Sequence, residues 1–360
     1  MRQYDIMIVG VGPAGSTVAR LLNEGFSVAV IDKKAPDSAF QKPCGGLLAP
    51  DAQKIMASLG WNLPKAVLVD PQIFAVETID LDSGLRRFYQ RFYLNLDRDK
   101  FDRWMMEEIP PRVERIWGSC VFVAREAEGY RLRVRKTDGS AEEISAKILI
   151  GADGAHSIVR RTFYPKKKLR RYVAVQQWFE QENAQPLYRC FFDSETTDCY
   201  SWSVAKDGKI LFGGAFPPKN ARAAFERQKE KFSALGCTMP RPLKTEACEV
   251  LRPRGLRSFC CGEGTMFLVG EAAGFISPSS LEGISSALLS GAVLAQTLNE
   301  GSGSAAKKYR RRTRNLRLRL ALKNAKCPAL YWPILRRIMM ASGIASIELR
   351  GEARRSFLKK

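Results

Sequence analysis

The sequence predicts an α/β fold: a Rossmann-like nucleotide-binding domain, an inserted antiparallel β-sheet domain and a helical C-terminal tail. Three observations carry that expectation. A glycine-rich turn joins an apolar run to a helical pattern near the start of the chain. Two further strand–turn–helix passages begin near residues 146 and 265. Between them lies a block of short alternating segments bounded by turn signals.

The first element is "YDIMIV", residues 4–9, apolar and β-branched enough for a buried strand. "GVGPAG" follows, bringing Gly10, Gly12, Ala14 and Gly15, and then "STVARLLNEG", where Val18, Leu21 and Leu22 recur at helical spacing. A second apolar run, "SVAVI", ends on Asp32. Glycine lets such a turn close tightly and lets backbone approach a pyrophosphate. The helix N-terminus points free N–H groups at the anion, and the acid takes ribose hydroxyls. The order of these elements reads as nucleotide binding and at this point leaves both NAD and FAD open.

Next in order, residues 113–151 read as a β-meander with turns at Glu128-Gly129 and Asp138-Gly139. It runs into "AKILIGADGAHSIVRR", a strand before Gly151, Asp153 and Gly154, with Ser157 and Arg160 opening a helix. "YVAVQQWFE", "LYRCFFD", "CYSWSVAKDGKILFGGAF" and "EACEVLRP" then read as mostly antiparallel strands, with a hairpin at Asp207-Gly208. "NARAAFERQKEKFSALG" is an amphipathic helix outside that sheet. The last passage, "TMFLVGEAAGFISPSSLEGISSALLSG", puts a strand before Gly270 and Glu271 and a helix near Glu282 or Gly283.

A plain NAD-binding dehydrogenase needs neither later passage, whereas an extended FAD needs a second segment to reach its ribityl chain and ring. Glu271 suits a ribityl hydroxyl, and Gly274 and Gly283 suit close backbone approach. The helix after Gly283 is expected to aim its positive end at the flavin, stabilising the anionic reduced ring. The cofactor expectation is therefore non-covalent FAD.

The three ordered motifs resemble the p-hydroxybenzoate-hydroxylase-like FAD oxidoreductases over about residues 1 to 300. "KPCGGLLAP" (42–50), "LDRDKFDRWM" (96–105), "CYSWSV" (199–204) and "GEAAGFISPSSLEGI" are similar to the geranylgeranyl reductase branch. The resemblance implies FAD contacts at Cys44, Gly45, Leu47, Arg98, Gly283 and Ile284, with Val121 beside the adenine. Two departures stand out. The aspartate of the last motif is Glu271, and the aromatic substrate motif YxWxFP is reduced to Tyr200, Trp202, Val204 and Ala205.

The expected organisation follows: FAD-binding segments 1–70, 95–165 and 260–300; a substrate domain from 71–94 and 166–259; and a basic helical segment, 301–360. For Cys44 two readings fit, a thiol pressed on the flavin with redox or proton-donating use, or a small filler in a glycine turn. Tyr200 and Trp202 share one side of a strand, either as core packing or lining an apolar pocket where the tyrosine supplies a proton. With these as tentative catalytic residues, the expectation is a flavin-dependent reductase of a carbon–carbon double bond in an apolar, isoprenoid-like substrate. The alternative is an FAD-dependent monooxygenase on the same fold. The electron donor, NAD(P)H or a reductase protein, is unreadable: no second glycine-rich nucleotide motif occurs. His156, the only histidine, occupies a variable slot of the middle motif, which removes Ser-His hydrolase and His-metal readings.

The nine cysteines are scattered without a disulfide or metal spacing, which points to a reducing cytoplasm. Net charge is +21, and residues 301–360 hold 17 Lys or Arg against Glu348 and Glu352. Basic residues beside "CPALYWPILRRIMMASGI" suit peripheral contact with an anionic membrane from the cytoplasmic side. The competing reading packs the leucines of 316–322 on the nucleotide domain. No nucleic-acid recognition module is present, so nucleic acid is not an expected partner.

Overall fold

A computed structural model describes residues 2–35, 42–181, 185–234 and 239–348. Its strands run, in chain order, β1 (Arg2–Val9), β2 (Val28–Asp32), β3 (Leu47–Leu48), β4 (Ile73–Asp80), β5 (Arg86–Asn95) and β6 (Glu114–Trp117). They continue with β7 (Ser119–Glu126), β8 (Gly129–Arg135), β9 (Ala141–Gly151), β10 (Arg170–Glu180) and β11 (Leu187–Phe192). The last five are β12 (Ser201–Lys206), β13 (Lys209–Phe216), β14 (Lys244–Arg252), β15 (Gly262–Glu263) and β16 (Met266–Leu268). The helices are α1 (Pro13–Leu21), α2 (Pro50–Ser58), α3 (Arg98–Glu107), α4 (Ile158–Phe163) and α5 (Ala221–Ala234). After them come α6 (Ile284–Asn299), α7 (Ala305–Arg312), α8 (Arg314–Leu322), α9 (Cys327–Tyr331) and α10 (Pro333–Ala341).

The apolar runs near the start become the centre of a sheet ordered β15-β16-β9-β1-β2-β6. β1 is parallel to β2 and to β9, so the first glycine turn and the middle motif leave the sheet side by side. β7 and β8 form the meander that leads into β9. Being buried on both faces, Ile6, Ile8, Val30 and Ile150 form a core that α1 and α6 cover from one side.

The second sheet is ordered β14-β10-β13-β12-β11-β4-β5-β3 and is antiparallel except where β4 runs parallel to β11. The β12–β13 turn carries Asp207 and Gly208, both at positive φ, as a tight hairpin requires. Leu47–Leu48, expected with the nucleotide domain, pairs instead with Asn95 and Leu94 at the edge of this second sheet. That strand physically ties the 42–50 segment to the substrate side.

The tail divides its leucines. Leu316 and Leu320, one helical turn apart, are buried in the first core, while Leu318 and Leu322 are exposed. No helix among the described residues is long and apolar enough to cross a membrane.

Candidate active site

The phosphate end is built by crowding. A Cβ at Gly15 would lie 1.9 Å from the carbonyl oxygen of Gly10, and one at Gly10 would lie 2.7 Å from that of Ala152. Both glycines are therefore fixed by the packing of α1 against β1 and β9. Gly12 differs: a Cβ there meets nothing within 4 Å. Gly12 also caps α1 without a side chain, and the first turn holds no acid. The first α1 N–H groups thus open onto free space at the positive end of the helix. Ala14 faces inward and fills the joint with Gly270 and Gly291. Asp32 closes the turn: its carboxylate accepts the N–H of Val11 at 2.6 Å and of Lys34 at 2.8 Å.

The middle and last motifs are cinched together by Arg160, whose guanidinium donates to the carbonyls of Ala155, Glu271 and Ala272. Asp153 Oδ2 accepts the N–H of Ile158, while Oδ1 is buried without a partner among the described residues. Burial pushes this carboxyl above its ordinary pKa. Glu271, expected at a ribityl hydroxyl, already accepts from Lys42 Nζ at 3.0 Å and from the N–H of Leu251 at 2.9 Å. It works as a clasp between three segments.

Around the last helix the protein's own groups are closely packed. Gly274 is the left-handed cap of a short helical turn, and a Cβ there would meet Ser258, Leu169 and Phe259. Its positive φ and this packing both call for glycine. At the start of α6, Glu282 accepts the N–H of Ser285 at 2.8 Å, so its carboxylate already answers part of the helix's positive end. A Cβ at Gly283 would stand 3.6 Å from Ile276, and Ile284 is buried in a cluster with α2 and α3.

The turn at Cys44-Gly45-Gly46 joins the two sheets. Gly46 is at positive φ and pressed on the carbonyl of Leu96 and on Lys206. A Cβ at Gly45 would touch only the Trp202 indole, at 3.8 Å. The Cys44 sulfur accepts the N–H of Gly46 at 3.4 Å and a hydrogen bond from Arg98. Arg98 stands in the first turn of α3 and donates to Asp102 at 2.8 Å; Asp102 also accepts from Lys34. Burial opposes the Arg98 charge, but the neighbouring Asp102 carboxylate outweighs it and raises the guanidinium's pKa. Lys206 lies almost wholly inside, donating to Gly46 O, Asn95 Oδ1 and Leu96 O; burial pulls its pKa down to about 8.

Trp202 and Tyr200 face the same apolar cluster, with ring centroids 5.7 Å apart. The Tyr200 hydroxyl donates to Ser280 O at 2.6 Å and is itself paired with the Tyr188 hydroxyl. Burial raises both phenols well above 10, so both remain protonated donors. Trp202 Nε1 has no partner among the described residues. Tyr93, edge-on to Tyr188, and Phe192, stacked on Tyr200, complete the wall.

The structure thus gathers Cys44, Gly45, Arg98, Tyr200 and Trp202 on one side, and Gly10, Gly12, Gly15, Asp32 and Asp153 on the other. Leu47, half-buried, pairs with Asn95 at the sheet edge. Val121 is exposed where β7 bulges, next to Cys120, which lies close enough to Asp153 to feel its charge. His156 is largely exposed and bonded to Glu249, which gives it a surface role. Sequence reasoning missed Lys42, Tyr188 and Lys206. Lys206 carries the one available signal, a lysine closing an otherwise apolar and small-residue strand. The open face at Gly12, the orphaned Asp153 oxygen and the open face at Gly45 fit an extended dinucleotide with a flat ring at its far end.

Comparisons with known proteins agree with this geometry. The family model described as the FAD binding domain matches residues 3–231. Protein CbrA of Escherichia coli O9:H4 is 47% identical over 350 residues, covering 96% of this chain and 95% of that protein. A geranylgeranyl bacteriochlorophyll reductase-like protein from Thermoplasma acidophilum superposes with a TM-score of 0.78 at 19% identity, covering 95% of this chain and 92% of that one. A point variant of Klebsiella pneumoniae HpxO, complexed with FAD, superposes with a TM-score of 0.69 at 17% identity, over 98% and 96%. The chain belongs to the FAD-binding domain family, as an FAD-dependent oxidoreductase.

Proposed function

We propose that this oxidoreductase reduces a carbon–carbon double bond in an apolar, isoprenoid-like substrate. The observation that carries the reading is the apolar cluster of Tyr93, Tyr188, Phe192, Tyr200 and Trp202, whose Trp202 indole would lie 3.8 Å from a Cβ at Gly45. The nearest cations are already engaged: Lys206 on carbonyls and Asn95, Arg252 on Pro278 O, Asp198 O and the Tyr172 hydroxyl. Such a wall recognises hydrocarbon by shape and excludes water. The likeness to a geranylgeranyl bacteriochlorophyll reductase-like protein supports the same class.

Bound and reduced FAD supplies the hydride taken up by one alkene carbon. The protein's residues do the rest. Tyr200, held protonated by burial, lies along the wall to give its proton to the other carbon, and Tyr188 is placed to replace it. Gly45 leaves room for the reacting faces to approach, and Arg98 with Lys206 fixes the turn that sets their distance.

Anaerobic single turnover tests this. Photoreduced holoprotein is mixed with a geranylgeranyl lipid, and flavin absorbance and product mass are followed. Reoxidation without oxygen, with two hydrogens gained per double bond, is the expected result. Reoxidation only on admitting air, with an oxygen atom in the product, gives the monooxygenase instead.

A further inference from the structure

α10 is built inside out. Its inward face carries Arg336, 2% exposed, whose guanidinium is bound to Asp80 at the end of β4 and to Asp82 in the turn beyond it. Met340, one turn on, is also buried. The outward face carries Ile334 and Ile338, exposed at 75% and 62%, with Leu335 on one flank and Arg337 on the other. Trp332, at the cap of the helix, is 62% exposed, and Ile344 just beyond it is 75% exposed. A helix that turns a charge inward and isoleucines outward is not made for water on that side.

The charge of the segment that carries it says what covers it. Between residues 301 and 348 the chain has twelve Lys or Arg and one acid, Glu348. Arg337 and Lys326 make no ion pair among the described residues. Two copies of this face would bring two cationic tails together. An anionic lipid surface instead takes the apolar side chains at headgroup depth and the cations at its phosphates. We infer that the face of α10 with Trp332 and Ile344 docks on anionic lipid bilayers.

The anchor gives the docking a direction. Tyr331, next to Trp332, donates to Ser279 O and packs with Phe192 in the aromatic wall. The docking face is therefore rigidly joined to the wall described above, one residue away along the chain. The inference stands on α10 alone and does not depend on which reaction the flavin performs.

The test is sedimentation of full-length, FAD-loaded protein with phosphatidylcholine vesicles, with and without phosphatidylglycerol. Wild type is expected to pellet with the anionic vesicles at low salt and to be released by high salt. The double variant Ile334→Asp/Ile338→Asp is expected to bind about tenfold more weakly, with FAD content and thermal transition unchanged. Should that variant lose its fold, Trp332→Phe provides a second reading: quenching of tryptophan emission by brominated phosphatidylglycerol is expected to fall. No pelleting with anionic vesicles, equal pelleting with neutral ones, or undiminished binding by the folded double variant overturns the inference. So does a concentration-dependent dimer that the variant abolishes in the absence of lipid binding.

Discussion

Two glycine turns stand at the two ends of the candidate cofactor site, and they are supported in opposite ways. In the turn at 10–15, Gly10 and Gly15 are pinned by each other and by Ala152, with Asp32 as brace. In the turn at 43–46, Gly46 is pinned by Leu96 and Lys206, Cys44 by Arg98, and Gly45 faces Trp202. Each turn keeps one glycine open, Gly12 in the first and Gly45 in the second. The first support is nearly all backbone of one strand–helix–strand unit. The second is side chains gathered from distant parts of the chain. The first turn is set by backbone close approach, the second by side chains assembled over long range.

The largest effects come from contrasting glycines within the first turn. Gly15→Ala drives a methyl into the Gly10 carbonyl and should cost several kcal/mol, roughly 3 or more, read as loss of the cooperative thermal transition. Gly12→Val meets no protein atom, so the apoprotein should melt within about 0.5 kcal/mol of wild type. It should nonetheless purify colourless, because its side chain takes the space left for the pyrophosphate. A yellow Gly12→Val protein would place the phosphates elsewhere.

Arg98→Ala carries the contrast to the second turn. It leaves buried Asp102 with Lys34 alone and removes the hydrogen bond to Cys44. A loss of about 3 kcal/mol is expected in urea titration, together with weaker flavin retention. Unlike Gly12→Val, fold and cofactor should fail together, since the same side chain serves both.

Tyr200→Phe separates shape from chemistry at the reacting end. The wall keeps its volume and loses one hydroxyl, so flavin content should hold and stability should drop by about 1 kcal/mol, from the bond to Ser280. Turnover should fall about a hundredfold, measured as the single-turnover rate on the geranylgeranyl lipid. An unchanged rate would leave Tyr200 as packing.

The contrast also explains what the sequence made legible. The strand–glycine–helix units at 4–32 and 146–161 were readable because each needs only its own residues in order. So was the Asp207-Gly208 hairpin, whose turn chemistry is local. The pairing of Leu47–Leu48 with β5 was not, because a two-residue strand has no periodicity to show. Glu271 was found as an acid near the cofactor, but its partners Lys42 and Leu251 come from remote segments. Cys190 stands opposite Trp202, and Phe192 stacks on Tyr200, only because β11 and β12 pair, a register that no motif announces. Gly274 shows the same limit: glycine marks a special backbone, here at φ +82, and its neighbours Ser258, Leu169 and Phe259 come from remote segments.

The brace of the second turn is tested through pH, one protonation step at a time. Lys206 is held among three carbonyl-type acceptors, and burial lowers its pKa from 10.5 to about 8. Below pH 8 the lysine is charged in both folded and unfolded chains, and folding bears the full cost of burying that charge. Between about 8 and 10.5 the unfolded chain binds the proton while the folded chain releases it. The unfolded state then holds more protons, so stability attributable to this residue rises with pH, by at most about 1.4 kcal/mol per unit. Lys206→Met removes that titration and leaves Gly46 O, Asn95 Oδ1 and Leu96 O without their donor. The variant should be less stable than wild type at pH 7, and the gap should widen as pH rises from 8 to 10. Urea titrations of both proteins across that range read the difference directly. A gap that stays constant would mean that Lys206 does not titrate there, and that the turn carrying Cys44 and Gly45 is braced by its hydrogen bonds in one protonation state throughout.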